Sequence, residues 1–101
     1  MIARLWSARA ASTEDADAYQ DHFAGEVLDQ LGKIPGFEGA FLLRGEHGEF
    51  VTMTLFESMD AVRDFAGDDP AQANVTGPAR AMLSEVDERA RHFTVVLSPL
   101  I

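Results

Sequence analysis

Between residues 49 and 67 the hydrophobic period of the chain changes once, and the other elements are arranged around that change. Phe50, Thr52, Thr54 and Phe56 alternate with Val51, Met53 and Leu55. That is the period-two signature of a strand covered on both faces. Ser58 follows at an N-cap position, and Met59, Val62, Phe65 and Ala66 then recur at helical spacing up to Gly67. The stretch predicts a strand that runs directly into a helix.

Upstream, residues 2–9 alternate, with Arg4, Trp6 and Ala8 on one face and Ala3, Leu5 and Ser7 on the other. Ser12 or Thr13 caps a helix that runs to about Lys33. Its first turn carries Glu14, Asp15 and Asp17 at the positive end of the dipole. Tyr19, Phe23, Val27, Leu31 and Ile34 form its apolar stripe, and Pro35-Gly36 ends it. Residues 37–44 predict a second strand, with Phe37, Gly39, Phe41 and Leu43 on one face and Glu38, Ala40, Leu42 and Arg44 on the other. The turn 45–48, with two glycines, makes a hairpin with the strand at 49–56. After Asp68-Asp69-Pro70, residues 71–76 predict a single helical turn at most. A third helix opens at Gly77-Pro78, with Ala79, Met82, Leu83 and Val86 as its stripe, and residues 90–97 form the last strand.

The order is β-α-β-β-α-β with an extra helical piece, the ferredoxin-like split pattern of an α+β fold. It implies an antiparallel sheet of order 4-1-3-2, helices on one face and the other face bare unless a second chain covers it. Leu5, Phe37, Phe41, Leu43, Val51, Met53, Leu55, Phe93, Val95 and Leu97 make one strand face almost wholly apolar. The other, with Arg4, Trp6, Glu38, Arg44, Phe50, Thr52, Thr54, Phe56, His92, Thr94 and Val96, is mixed. Periodicity leaves open which face meets the helices. Soluble monomers avoid so large an apolar patch, so a symmetric homodimer of stacked sheets is expected. The apolar tail 97–100 and Ile101 are expected to reach across the partner.

Composition narrows the partners. The chain has 101 residues, enough for one domain, and a formal charge of −9 from 17 acidic and 8 basic residues. Such a surface repels nucleic acid and anionic membrane. The chain has no cysteine, which removes disulfides, thiolate catalysis and Cys-ligated metal. The first ten residues lack the apolar run of a secretion signal, and no stretch is long enough to span a bilayer, so a cytoplasmic protein is expected.

Four segments in order resemble one family across essentially the whole chain: Arg4-Leu5-Trp6, Ile34-Pro35-Gly36-Phe37, the run 56–66 (FESMDAVRDFA), and Arg91-His92-Phe93. Together they resemble the antibiotic biosynthesis monooxygenase (ABM) domains, of dimeric α+β barrel fold. The resemblance implies a homodimer with a cleft between sheet and helices. Members include cofactor-independent oxygenases of quinol- or anthrone-like aromatics, haem-degrading enzymes, and domains of no known activity. The family usually has Trp where this chain has Phe56. The haem-degrading branch uses an Asn and a His at positions that fall near Trp6 and Val75, which argues against haem degradation here.

A cofactor-free oxygenase needs an apolar cavity and one or two groups that steady a substrate anion. Trp6, Thr52, Thr54, Phe56 and His92 come from three neighbouring strands. Trp6 and Phe56 can stack on an aromatic substrate, and His92 can serve as base or donor. The competing reading makes Trp6 and Phe56 core and His92 a structural histidine. The expected catalytic residues are His92 and Trp6. The expected substrate contacts are Trp6, Arg4, Tyr19, His22, Phe23, Thr54, Phe56 and Phe65. His22 and Glu26, at i and i+4, could share a metal or simply pair, and no third ligand supports a metal. Arg4 and Arg44 can hold a carboxylate or phenolate, or pair with acidic neighbours. No cofactor is implied, and no nucleotide loop or Ser-His-Asp pattern occurs. Two further readings stand beside the oxygenase: a non-catalytic dimer binding a small hydrophobic ligand, and a haem binder using His22 or His92.

Overall fold

The computed structural model describes residues 1–99. The expected contacts of Leu100 and Ile101 lie outside the described residues. Strand β1 (Ile2–Arg9) leads into helix α1, which is α-helical over Thr13–His22, π-helical over Phe23–Val27 and α-helical again over Leu28–Leu31. Strands β2 (Phe37–Arg44) and β3 (Glu49–Phe56) follow, then helices α2 (Met59–Ala66) and α3 (Gly77–Met82). The short strands β4 (Glu85–Val86) and β5 (Arg91–Thr94) complete the order. The sheet runs β2-β3-β1, with β4 and β5 both on the far edge of β1, and every pair is antiparallel. This is the α+β arrangement and strand order that the sequence implies.

The helix starts follow from their caps. The hydroxyls of Ser12, Ser58 and Thr76 each accept the backbone N–H three residues on, from Asp15, Ala61 and Ala79. The π-turn answers a mismatch in the α1 stripe. Tyr19, Phe23, Val27 and Leu31 recur every four residues, whereas an α-helix repeats every 3.6 and would carry the stripe around the axis. The turn holds one extra residue, marked by the Leu28 N–H bonding the Phe23 carbonyl five residues back, and this returns Leu31 to the core.

The mixed face carries the helices. Phe50 and Phe56 are fully buried beneath them, and Thr52 and Thr54 are buried between. The apolar face is open: Phe41, Leu43 and Phe93 are exposed to 54%, 49% and 42%. Phe37 departs from its expected place on that open face. A shift in the β2–β3 register between Phe37 and Gly39 sets Phe37 opposite Phe56, and the two rings meet edge to face at 5.9 Å on the helix side. Glu38, placed on the mixed face by simple alternation, falls in this irregularity and is exposed.

The last third of the chain departs further. The final strand ends at Thr94 rather than at residue 97; one more bond, Val95 N–H to the Met1 carbonyl, closes it, and Val96 and Leu97 are exposed. The strand can be no longer because β1, its partner, begins at Ile2. Val86 belongs not to a helical stripe but to β4, opposite Ala8. Helix α3 stops because the Ser84 N–H turns to the Arg9 carbonyl, drawing the chain onto the sheet edge. Residues 71–76 form no helical turn: Gln72 makes an isolated bridge to Arg89, and the Ala71 carbonyl accepts from the Ala90 N–H.

The core forms two clusters. One gathers Ala8, Ala16, Tyr19, Phe50, Ala79 and Leu83; the other gathers Phe23, Leu31, Phe56, Ala61 and Val62.

Candidate functional site

A cleft opens between the sheet and α1, walled by Tyr19 of the first cluster and by Phe23 and Leu31 of the second. Arg4 and Trp6 of β1 and Thr52 and Thr54 of β3 form its floor, in adjacent register pairs Arg4–Thr54 and Trp6–Thr52. Phe65 of α2, Asn74–Thr76 of the connecting loop and Ala79 of α3 close the far side. Its free volume is about 80 Å³. That is far more than the ~10–15 Å³ one water needs.

Arg4 is the central group. It is only 4% exposed, and no carboxylate pairs with it among the described residues. One Nη donates to the Gln72 carbonyl at 2.9 Å, and the guanidinium carbon lies 5.5 Å from the centre of the Phe65 ring. Its Nε is buried without a hydrogen-bond partner. Burial lowers its pKa to about 10, so it remains a cation at neutral pH. Arg44, the other candidate cation, is instead paired with Asp17 at 2.8 Å and bonded to Gln20.

The remaining polar groups are arranged for hydrogen bonding. Burial raises the pKa of the Tyr19 phenol, and the Thr52 hydroxyl beside it works in the other direction. Tyr19 therefore stays a neutral phenol. The Thr52 Oγ1 is buried and unpartnered. The Trp6 indole N–H is already committed, donating to the Asp87 carbonyl at 2.6 Å, so Trp6 offers the cleft its ring rather than its donor.

Seven of the residues singled out from sequence come together here: Arg4, Trp6, Tyr19, Phe23, Thr52, Thr54 and Phe65. Three lie off the walls. Phe56 is packed between Phe37 and Phe65. His92 pairs with Arg4 across the β1–β5 ladder, half-buried and not among the residues that line the cleft, with its Nε2 unpartnered. Burial first, and then the Arg4 charge, lower its pKa below the usual 6.5. His22 has its Nδ1 3.4 Å from Glu26 and its Nε2 buried and unpartnered. Among the described residues no group of three or more His, Asp or Glu side chains could hold a metal ion. Gln30 and Asn74 line the cleft and carry no signal in the sequence. Gln30 lies on a helix whose phase the π-turn resets, and Asn74 is placed by a side-chain bond to the Phe65 carbonyl.

The fold has counterparts among solved structures. A monooxygenase of Streptomyces coelicolor from the ActVA-Orf6 gene, solved with nanaomycin D, superposes with a TM-score of 0.74 at 19% identity, over 99% of this chain and 91% of that one. SnoaB, a cofactor-independent oxygenase of Streptomyces nogalater, gives 0.71 at 16% identity, over 96% and 94%. The haem degrader MhuD of Mycobacterium tuberculosis, with two haems in its active site, gives 0.69 at 19%, over 98% and 99%. Structures named as antibiotic biosynthesis monooxygenases superpose over nearly the full chain as well. The chain has the ABM fold. At these identities the likeness speaks for architecture, and ABM-fold proteins with different ligands share it. No family model matches the sequence, and no curated protein matches it. No helix among the described residues is long and apolar enough to cross a membrane.

Proposed function

We propose that this ABM-fold chain takes a small quinol- or anthrone-like phenol or enol as its anion in the cleft, and oxidises it with molecular oxygen as a cofactor-independent monooxygenase. One observation carries the reading: a buried arginine without a carboxylate partner, in the wall of an otherwise largely apolar cleft. Burying an unpaired charge costs several kcal/mol, and an incoming anion offsets that cost. Tyr19 and Thr52 supply hydrogen bonds beside it, and Trp6 and Phe65 supply aromatic faces. Nanaomycin D, held by the Streptomyces coelicolor neighbour, lends support to an aromatic ligand.

The chemistry asks little of the protein. Arg4 favours the deprotonated substrate, which passes an electron to O2 in the dry cleft. The substrate radical and superoxide combine to form a C–O bond. Loss of water from the hydroperoxide leaves a ketone where a CH2 stood, with the second oxygen atom released in that water. No imidazole lines the cleft, so the anion forms through its own acidity, raised by Arg4, rather than through His92. The same feature favours the second reading, a non-catalytic binder of the same ligand. It weakens the third, since neither His22 nor His92 reaches the cleft to bind haem iron.

Oxygen uptake with a panel of quinols and anthrones, in metal-free and flavin-free buffer, tests the proposal. Turnover that falls at least a hundredfold in Arg4→Gln is expected. Binding reported by quenching of Trp6, the only tryptophan, with no uptake for any compound would leave the binder reading in its place. The open face of Phe41, Leu43 and Phe93 supports a homodimer as the working form.

A further inference from the structure

We infer that Phe23 is a partition between two halves of one ligand site, so that the site takes an elongated apolar acid with its anion at Arg4 and its far end beyond Phe23. This rests on the reading of Arg4 as the anion's partner. Phe23 borders the inner cleft on one side. On the other it borders a groove between α1 and β2, walled by Ala24, Leu28, Ala40 and Leu42 and with Arg44 and Gln20 among its walls. The inner cleft alone, at about 80 Å³, is well short of the ~300–1,000 Å³ of sites that enclose a drug-sized ligand. The groove adds about 300 Å³, and the two joined reach the lower end of that range.

The backbone at Phe23 suits a partition that moves. Phe23 is the first residue of the π-turn, where the helical ladder shifts from a four-residue to a five-residue bond at its own carbonyl. Such a turn is a weak point in a helix and recurs at functional sites. The occupant of the groove is the far end of the ligand itself. Ala24, Leu28, Ala40 and Leu42 suit a hydrocarbon ring, and Arg44 and Gln20 are bonded within the protein rather than to that ring.

Isothermal titration calorimetry with benzoate, biphenyl-4-carboxylate and terphenyl-4-carboxylate tests the inference on the full chain. Phe23→Ala should tighten the two longer acids at least tenfold relative to benzoate. Ala24→Phe, at an exposed position, should fill the groove, weakening the longer acids at least tenfold while sparing benzoate. The second variant keeps the test decisive even if Phe23→Ala packs poorly. If both variants shift all three acids alike, or shift none, while Arg4→Gln abolishes benzoate binding, the partition is overturned and the Arg4 site stands. If no acid binds the wild-type chain, both are overturned.

Discussion

Replacing Arg4 with methionine separates its role in the site from its role in the fold. The side chains are of similar reach, so the hole left is small. The fall in the Arg4 pKa to about 10 corresponds, at ~1.4 kcal/mol per pH unit, to ~3 kcal/mol by which folding disfavours the charge. Against that, the variant loses the bond to the Gln72 carbonyl, ~1.5–3 kcal/mol for a charged donor, and the contact over Phe65, ~0.5–1 kcal/mol. The two sides nearly cancel. Arg4→Met should therefore change unfolding stability by less than ~1 kcal/mol at pH 7 while losing the affinity for aromatic acids. Urea unfolding followed by circular dichroism measures the first, and calorimetry with benzoate the second. A stability loss of ~3–5 kcal/mol, the range seen when one partner of a buried ion pair is removed, would mean that the native chain already compensates Arg4. Arg4 would then not be a cation waiting for a ligand.

Other consequences follow from the same geometry. The His92 imidazole should titrate below 6.5 by NMR; in Arg4→Met it should rise but stay under 6.5, because burial is the larger cause of its shift. Since its folded pKa is depressed, its contribution is complete above 6.5 and is lost as pH falls from there to the folded value, so His92→Gln should flatten that part of the stability profile. Gly48→Ala should cost at least ~2 kcal/mol in a thermal melt, because a Cβ there would lie 2.3 Å from the Ala10 carbonyl oxygen on a backbone with φ of +77°. Gly25→Ala, with nothing within 4 Å, should instead stabilise by ~0.5–1 kcal/mol, and an equal loss in both would contradict this contrast. In sedimentation, wild type should run as a dimer at micromolar concentration and Phe41→Glu with Leu43→Lys as a monomer; a monomeric wild type would remove the stacked-sheet assembly.

Much of the fold was legible because local chemistry wrote it. Alternation in residues 49–56, the caps at Ser12 and Ser58, Pro35-Gly36 and the proline at the start of the helix Gly77–Met82 each act within a few residues, and each has its element in the structure. The irregular parts were not legible. Phe37 crossed to the helix side through a register shift that depends on β3, and Val86 left its helical stripe to pair with Ala8. Those outcomes depend on partners almost twenty residues away for Phe37 and far more for Val86.

For the site, residue types and their strand phase sufficed to set Arg4, Trp6, Thr52 and Thr54 on one face. Side-chain alternation is a property of a single strand. Which face the helices would cover was decided only in three dimensions, by the path α1 takes from β1 over β3 to β2 and by the phase at which each strand joins the sheet. That decision buried Arg4 without a carboxylate and left Phe41, Leu43 and Phe93 bare. It also left His92 out of the cleft's lining, because a ladder neighbour shares a face without sharing a cavity.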